Sequence, residues 1–352
     1  MAKRIPVAVL AATGSVGQRF VQLLDTHPLF QVVALTASDR TVGQKFGDAC
    51  HWILQEKMPE WACSMEILPT TPDGMSTPLV FSALPAEIAL EIEPAFARAG
   101  SLVCSNASAH RTAPDVPILF PEINPELAAI LPIQRRLRKW TGGIVTNSNC
   151  TSTGMAVVLK ALQNAFGVHK VLAVSLQALS GAGYPGVPSL DILDNVIPFI
   201  KGEEEKVESE SCKILGTIQG DAILPAAFTI SAHTNRVAVS DGHMVCLSIG
   251  LDKKGTIQDV IRSLRDYQAP EISRDLPSTP KPVIIVRDEP DRPQPRLDRL
   301  SGKGMATIVG RIRPDPLFDF KMVVLSHNTI RGAAGGSIYN AELLVKLGYV
   351  SG

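Results

Sequence analysis

The sequence predicts an α/β protein, with a Rossmann-type doubly wound parallel sheet and an α+β domain built on a mixed sheet. In the first half, apolar β-branched segments alternate with amphipathic helical segments, which is typical of parallel strands covered by helices on both faces. In the second half, longer alternating segments enclose few helices, which favours a mixed sheet with helices on one face. A chain of 352 residues is long enough for two such domains.

The elements of the first half follow from hydrophobic periodicity. Residues 5–12 are an apolar run that predicts the first strand, and the next segment places Val16, Phe20 and Leu24 on one helical stripe. A second helix is predicted at residues 86–99. The remaining strands are predicted at residues 30–37, 79–84, 101–105 and 143–146.

The second half is assigned in the same way. Its strands are predicted at residues 169–179, 232–239, 243–251 and 318–325, and its helices at residues 151–166 and 256–267. The proline-rich residues 277–295 predict a surface excursion. A final helix at residues 335–347 is expected to return to the first domain.

Charge and hydropathy argue against several classes of protein. Lys and Arg number 34 and Asp and Glu number 34, so the basic excess of a nucleic-acid-binding protein is missing. No apolar run reaches the roughly 18 residues of a transmembrane helix, and the N-terminus lacks the apolar core of a signal peptide. We therefore expect a soluble cytoplasmic protein that binds neither nucleic acid nor membrane. The six cysteines form no CxxC pair and no metal-ligand spacing, so we also expect no metal.

A glycine loop, Ala-Ala-Thr-Gly-Ser-Val-Gly at residues 11–17, lies between the first predicted strand and the first predicted helix. Such a loop lets backbone N–H groups approach a pyrophosphate at the positive end of the helix. Ala11 takes the place of the usual first glycine, which we expect to tighten the turn without abolishing it. The alternative is a glycine turn that serves only the packing of helix on strand.

The end of the second strand predicts the cofactor. An NAD site usually carries an acidic residue here for the ribose 2′-hydroxyl. Ser38, Arg40 and Thr41 would instead suit a 2′-phosphate, which favours NADP. Asp39 argues the other way, because its carboxylate would repel that phosphate if it pointed inward.

Cys150 is the candidate nucleophile, because it lies where a predicted strand ends and a predicted helix begins. The helix N-terminus is expected to lower the thiol pKa, and Asn149 with nearby backbone N–H groups to hold an oxyanion. The alternative is a structural cysteine at a helix cap. A cysteine beside a nicotinamide typically converts an aldehyde to a thioester, a cycle that needs a base such as histidine. His243 opens a strand after a turn and is the preferred base, but sequence alone leaves His233 and His327 open.

Five motifs occur in order along the chain. They are Asn-Cys-Thr-Ser-Thr-Gly at 149–154, Ser-Gly-Ala-Gly-Tyr-Pro-Gly at 180–186, Gly-Glu-Glu-Glu-Lys at 202–206, Asn-Arg-Val with Gly-His within 235–243, and Asn-Thr-Ile-Arg-Gly-Ala-Ala-Gly at 328–335. Taken singly, each motif could have a purely structural role, such as a solvated helix face or an ordinary glycine-proline loop. Together they resemble the aspartate-β-semialdehyde dehydrogenase family, in its archaeal and fungal branch, over essentially the whole chain. Ala11 and the order Thr151-Ser152 are the departures from the family pattern.

The resemblance implies a reversible, NADP-dependent reduction of L-4-aspartyl phosphate to L-aspartate 4-semialdehyde and phosphate, a step toward lysine, threonine and methionine. The implied catalytic residues are Cys150 as nucleophile, His243 as acid/base and Gln177 as the residue that orients substrate. The implied substrate contacts are Arg236 for the α-carboxylate, Glu204 for the amino group, and Lys206, Arg111 and Asn149 for the phosphate. The implied NADP contacts are Thr13, Gly14, Ser15, Val16, Ser38, Arg40, Thr41, Ser180, Gly181, Gly183 and Asn328.

The resemblance also implies an organisation. Residues 1–149 would form the NADP-binding domain, residues 150–331 the catalytic and dimerisation domain, and residues 332–352 a C-terminal helix that returns to the first. A homodimer or homotetramer is expected. Three other functions stay open: a malonyl-CoA reductase with the same cysteine and histidine chemistry, a non-catalytic NADP-binding regulator, and a cofactor-free cysteine hydrolase.

Overall fold

The computed structural model describes residues 4–351, so the first three residues of the predicted first domain and residue 352 lie outside the described residues. The strands of the first half are β1 (Ile5–Leu10), β2 (Phe30–Thr36), β3 (Ile67–Leu68), β4 (Leu79–Ser82), β5 (Leu102–Ser105) and β6 (Gly143–Thr146). They form one parallel sheet in the order β3-β2-β1-β4-β5-β6. Because the order reverses between β1 and β4, the loop after β1 borders the crevice where such sheets bind nucleotides.

Helices connect and cover these strands. They are α1 (Ser15–Leu24), α2 (Phe46–Ala49), α3 (Glu60–Ser64), α4 (Ala86–Arg98) and α5 (Leu131–Arg138). The apolar stripe of α1 buries Phe20, Val21 and Leu24 in one core cluster with the side chains of β1 and β2. This stripe explains why the first helix can be predicted from the sequence.

The second half forms a mixed sheet and a hairpin. Its strands are β7 (Val168–Gln177), β8 (Thr217–Gln219), β9 (Ala222–Leu224), β10 (Thr229–Arg236), β11 (His243–Leu251), β12 (Ile284–Val286), β13 (Thr307–Pro314) and β14 (Phe320–Ser326). The large sheet has the order β10-β7-β11-β14-β13-β12, with parallel pairs at both edges and antiparallel pairs between. The two sheets confirm the predicted fold class.

The remaining helices are α6 (Cys150–Phe166), α7 (Ser189–Ile192), α8 (Glu203–Ile214), α9 (Ile257–Arg265), α10 (Pro295–Asp298) and α11 (Gly335–Lys346). Twelve of the 17 residues of α6 are buried, because this helix packs against one face of the second sheet and against α8 and α9. No helix among residues 4–351 is long and apolar enough to cross a membrane.

One sequence prediction needs correction. The proline-rich residues 277–295 are not only a surface excursion, since β12 lies among them and pairs with β13. Val283 and Ile284 are buried in the second core cluster. Four apolar residues in a row are enough for an edge strand but too few to stand out beside the prolines.

The last helix packs on the first half of the chain. Ile338, Tyr339 and Leu343 of α11 belong to the same core cluster as Phe20 of α1. The turn before α11 is fixed by Arg331, which is fully buried and paired with Glu122. The contacts of α11 agree with its expected return, and the domain boundaries themselves stay a prediction.

Candidate active site

Several predicted residues lie along one edge of the second sheet, which is formed by the last residues of β7 and β10 and the first residues of β11. β7 and β10 run parallel, so Gln177 and Arg236 end side by side and pair in register. β11 runs antiparallel to β7 and β14, so it begins at the same edge, where His243 pairs with Ser326. The edge faces the start of α6 and therefore Cys150.

Cys150 and His243 are in direct contact. The Sγ of Cys150 lies 3.2 Å from Nε2 of His243. On the other side of the ring, the backbone N–H of Ala178 donates to Nδ1 at 3.1 Å. A ring nitrogen that accepts a hydrogen bond carries no proton, so the neutral imidazole holds its proton on Nε2. That N–H points at Sγ, which makes His243 a hydrogen-bond donor at the site.

The structure separates the three candidate histidines. His233 lies on an outward-facing position of β10 and is exposed. His327 is buried, and its Nδ1 accepts from Ile330 N at 3.4 Å, so it is held by its own turn. Only His243 contacts Cys150 among the histidines of the described chain.

The electrostatics at Cys150 differ from the sequence prediction. Burial, with Glu203 adding to it, raises the pKa of the Cys150 thiol to about 12, although Arg111 and Arg236 act in the lowering direction. Burial lowers the pKa of His243 to about 3, and the nearby Arg236 contributes. The helix N-terminus was expected to lower the thiol pKa, but desolvation of the thiolate has the larger effect here. At neutral pH the free protein therefore holds a neutral thiol beside a neutral imidazole.

Glu203 is the carboxylate that forms hydrogen bonds with two predicted residues of the site. Its Oε1 accepts from Asn149 Nδ2 at 2.7 Å and from Gln177 Nε2 at 3.1 Å. Asn149 also caps α6, because its Oδ1 accepts from the backbone N–H groups of Thr151 and Ser152. Both polar atoms of the Asn149 side chain therefore bind other protein groups and position the start of α6.

Glu204, which the sequence placed at the site, lies elsewhere. Its Oε1 accepts from the backbone N–H of Thr234 in β10 at 3.0 Å. Successive residues of a helix point about a quarter turn or more apart, so only one of the three glutamates at the start of α8 can face Cys150. The prediction of Glu204 is therefore corrected to Glu203. Lys206, three residues further on, lies 3.9 Å from the Glu203 carboxylate and is half-buried.

Arg236 lies close to the catalytic pair. It is buried, and its Nη1 donates to the carbonyl of Ala178 at 2.8 Å. A side chain at Gly181 would approach Arg236 Nη1 to 2.8 Å and the His243 ring to 3.0 Å. Gly181 is therefore required for close contact of the 179–183 turn with these two residues.

Arg111 is the second buried arginine of the candidate site. Its Nη1 pairs with Glu210 at 3.0 Å and its Nη2 donates to the carbonyl of Asn106 at 2.7 Å. Its Nε is buried without a hydrogen-bond partner among residues 4–351. A buried charged donor without an acceptor is costly, and an anionic ligand at this position would satisfy it.

The glycine loop fits a dinucleotide. α1 begins at Ser15 after Gly14, and no side chain caps it, so its first backbone N–H groups are open to an anion. A Cβ on Gly17 would lie 2.2 Å from the carbonyl oxygen of Ala11, so this glycine permits the close approach of helix and strand. Ala11 itself has φ of 55°, a conformation that favours glycine. The turn is formed with an alanine, as expected.

The predicted 2′-phosphate contacts lie together at the end of β2. Residues 39–41 form a single helical turn preceded by Ser38, and Thr41 Oγ1 donates to the carbonyl of Ser38. Arg40 is exposed and makes no ion pair with any described residue. The exposed guanidinium of Arg40 suits the 2′-phosphate of NADP, but Asp39 is exposed on the same turn, and these contacts stay a prediction.

A cleft of about 410 Å³ lies between Ser15 at the start of α1 and the loop of residues 179–186. Ser15, Ser180 and Gly183, which were predicted as cofactor contacts, line it. Asn328 borders this region and donates to Ser180 Oγ at 2.7 Å, while its Oδ1 accepts from Gly242 N at 2.8 Å. The same turn as Ser180 contains Gly181. The glycine loop contains Thr13, and the first turn of α1 contains Val16.

Sequence reasoning missed three residues that contact the site. Glu203 and Glu210 lie on α8, and Gly332 packs so closely that a side chain there would meet Cys150 Cβ at 2.9 Å. The acidic and glycine-rich motifs contain Glu203 and Gly332. For Glu210 no local signal exists, because it looks like any acidic residue on a helix.

Comparison with known proteins gives two family models and close relatives. Residues 6–130 match the model described as semialdehyde dehydrogenase, NAD binding domain, and residues 159–331 match semialdehyde dehydrogenase, dimerisation domain. An aspartate-semialdehyde dehydrogenase of Archaeoglobus fulgidus is 50% identical over 97% of this chain and 98% of its own length. One of Schizosaccharomyces pombe is 46% identical over 97% and 98%. The crystal structure of aspartate semialdehyde dehydrogenase with NADP from Candida albicans, 41% identical, superposes with a TM-score of 0.91 over 99% of this chain and 100% of that one.

Proposed function

This chain belongs to the aspartate-semialdehyde dehydrogenase family, and on that premise we propose that it reversibly converts L-4-aspartyl phosphate to L-aspartate 4-semialdehyde and phosphate with NADPH. The observation that carries the proposal is the contact of Cys150 Sγ with His243 Nε2 at 3.2 Å. The 179–183 turn, which lines the cleft, packs against His243 through Gly181. The names of the relatives favour this activity over malonyl-CoA reduction and over a non-catalytic regulator. The cleft and the glycine loop disfavour a cofactor-free hydrolase.

Cys150 acts as the nucleophile. Its Sγ attacks the acyl carbon of aspartyl phosphate, so an S–C bond forms while the C–O bond to phosphate breaks, and the thiol proton leaves with the phosphate. When bound, NADPH supplies the hydride that reduces the acyl carbon of the thioester to the aldehyde level. His243 donates a hydrogen bond from Nε2–H to the oxyanion that forms at this carbon and keeps its proton. When the oxyanion collapses to the aldehyde, the C–S bond breaks, and the Cys150 thiolate that leaves takes up one proton from solvent.

The substrate groups are assigned to buried charges around Cys150. Arg236 offers a guanidinium fork to the α-carboxylate, and Glu203 offers a carboxylate to the amino group. Gln177 lies between them and orients the substrate. Arg111, with its unpartnered Nε, and Lys206 bind the phosphate group.

Phosphate-dependent turnover tests the proposed function. The purified chain is given L-aspartate 4-semialdehyde and NADP⁺, with and without phosphate, and NADPH formation is followed by absorbance. NADPH formation that requires phosphate supports the acyl-phosphate chemistry. Folded protein that binds NADP⁺ but forms no NADPH would exclude it, and malonyl-CoA with NADPH would then be the next substrate to assay.

Glu203→Gln should lower kcat/KM for the semialdehyde by about 10- to 100-fold, because a charge-assisted hydrogen bond to the substrate ammonium is lost. Glu204→Gln is the matched comparison, since its amide oxygen can still accept from Thr234 N, and we expect a change within about twofold. Steady-state kinetics of the two variants decide between the residues. A larger loss in Glu204→Gln than in Glu203→Gln would reverse the correction.

Arg40→Ala should raise KM for NADP⁺ by about 10- to 100-fold and leave turnover with NAD⁺ nearly unchanged, because one Arg–phosphate contact is lost. Arg98→Ala, which removes an exposed arginine from α4, is the control. The ratio of kcat/KM for the two cofactors is the measurement. An unchanged ratio in Arg40→Ala would remove this residue from the cofactor site.

The assembly and location are proposed from separate observations. The second half matches a dimerisation-domain model, and Leu172, Val174 and Leu176 of β7 face away from α6 and stay partly exposed. We propose that this face of the second sheet forms the interface of a homodimer, which can assemble further into a tetramer. All six cysteines are unpaired thiols, which suits the cytoplasm. The domain division at residues 149 and 331 remains part of the proposal.

A further inference from the structure

Glu210 is a buried carboxylate that bridges two parts of the proposed site. Its Oε1 accepts from Arg111 Nη1 at 3.0 Å, and its Oε2 accepts from the backbone N–H of Asn149 at 2.5 Å. We propose that Glu210 is a positioning residue that sets the place of the phosphate-binding Arg111 relative to the nucleophile. This inference rests on the proposed function and adds a residue to it.

The helix that carries Glu210 contacts both segments from one face. Glu203, Glu210 and Lys213 are spaced seven and three residues apart, so they lie on the same side of α8. Lys213 Nζ donates to the carbonyls of Arg111 and Ala113 at 2.6 Å each. Burial lowers the pKa of Lys213 to about 8, and the nearby carboxylates of Asp115 and Glu210 oppose this. α8 thus holds the 106–113 loop through Glu210 and Lys213.

The same helix holds the start of α6. Glu203 accepts from the Asn149 side chain, while Glu210 accepts from the Asn149 backbone. Asn149 in turn caps the helix whose first residue is Cys150. The position of the nucleophile is therefore fixed by two carboxylates of α8.

Arg111 and Cys150 need this link because they follow different strands. Arg111 comes after β5 and Cys150 comes directly after β6, and no hydrogen bond joins the two side chains. An acyl phosphate has one oxygen between its carbon and its phosphorus, so the two residues must keep a fixed separation to act on it. Displacement of a reacting group by about 1 Å can reduce a rate by about a hundredfold.

The charge of Glu210 is compatible with a phosphate site. A free carboxylate would repel the phosphate, but both oxygens of Glu210 are occupied by donors, one of them cationic. This arrangement uses Nη1 of Arg111 and leaves its Nε without a protein partner. The contact therefore orients the guanidinium without occupying all of its donors.

Glu210→Gln tests the proposal. The amide has one acceptor, so its NH₂ must face either Arg111 Nη1 or Asn149 N–H, both of which are donors. We expect KM for phosphate to rise by about tenfold or more, with KM for NADP⁺ changed by less than about twofold. Glu205→Gln, which neutralises an exposed glutamate on the same helix, should leave all constants unchanged.

Glu210→Asp provides a second variant if the amide prevents folding. The shorter carboxylate keeps the charge but cannot reach both donors, so KM for phosphate should rise by an intermediate factor. A folded Glu210→Gln whose KM for phosphate is unchanged, or whose kcat falls with every KM unaltered, would overturn the proposal. Wild-type protein without phosphate-dependent turnover would overturn the proposed function, and this inference with it.

Discussion

Cys150→Ala is expected to abolish phosphate-dependent NADPH formation, with kcat reduced by at least about 10⁴-fold. Removal of a nucleophile that forms a covalent intermediate eliminates the pathway rather than slowing it, as nucleophile deletions in other enzymes show. The substitution is structurally mild, because it removes a single heavy atom, Sγ, which makes one hydrogen bond, to His243. Steady-state assays with semialdehyde, phosphate and NADP⁺ measure the loss.

Cys63→Ala is the matched control for this variant. Cys63 is an exposed thiol on α3, outside the site, and its removal should change kcat by less than about twofold. NADP⁺ binding to Cys150→Ala, measured by fluorescence, should be close to that of the wild type. Turnover that survives in Cys150→Ala at more than a hundredth of the wild-type rate would show that the thioester pathway is wrong.

His243→Ala is expected to lower kcat by about 10²- to 10⁴-fold, because the Nε2–H donor beside Sγ is lost. The variant should also lose about 1–3 kcal/mol of stability if the N–H of Ala178 is left without its acceptor. Thermal unfolding separates this loss of stability from the loss of catalysis. His233→Ala, at an exposed position on β10, is the control.

The pH dependence follows from the direction of the two pKa shifts. Since burial lowers the pKa of His243 to about 3, its neutral form persists throughout the neutral range. Since the pKa of Cys150 is raised to about 12, the thiolate fraction of the free protein increases about tenfold for each unit of pH above neutrality. Alkylation of Cys150 should therefore be slow at neutral pH and accelerate as the pH rises. A fast alkylation that is independent of pH would show that the thiolate already predominates.

Local sequence patterns predicted much of the fold. The apolar runs of β1, β2, β4 and β5 and the stripe of α1 each depend on residues within one element, and the structure places them within a few residues of the prediction. The strands β12 and β13 were not predicted, and β12 is buried because it pairs with β13 and not because of its own composition. In the sequence, α8 could be recognised only as an acidic cluster, because its buried face contains charged as well as apolar residues.

The sequence by itself determined those functional roles that depend on the residues of a single short segment. A glycine loop after a strand, and a cysteine at the start of α6, are local features whose roles follow from backbone geometry and helix ends. The resemblance of five ordered motifs then identified the family. None of these steps required knowledge of which segments meet.

Only the tertiary structure decided which residues face one another. It selected His243 over His233 and His327, because the antiparallel register of β11 brings that residue to the edge beside Cys150. It replaced Glu204 by its neighbour, because the rotation of α8 about its axis is set by packing and not by composition. It also raised the thiol pKa, since desolvation depends on the surrounding chain as a whole. Contacts between distant segments, and the burial they produce, are the properties that no local pattern encodes.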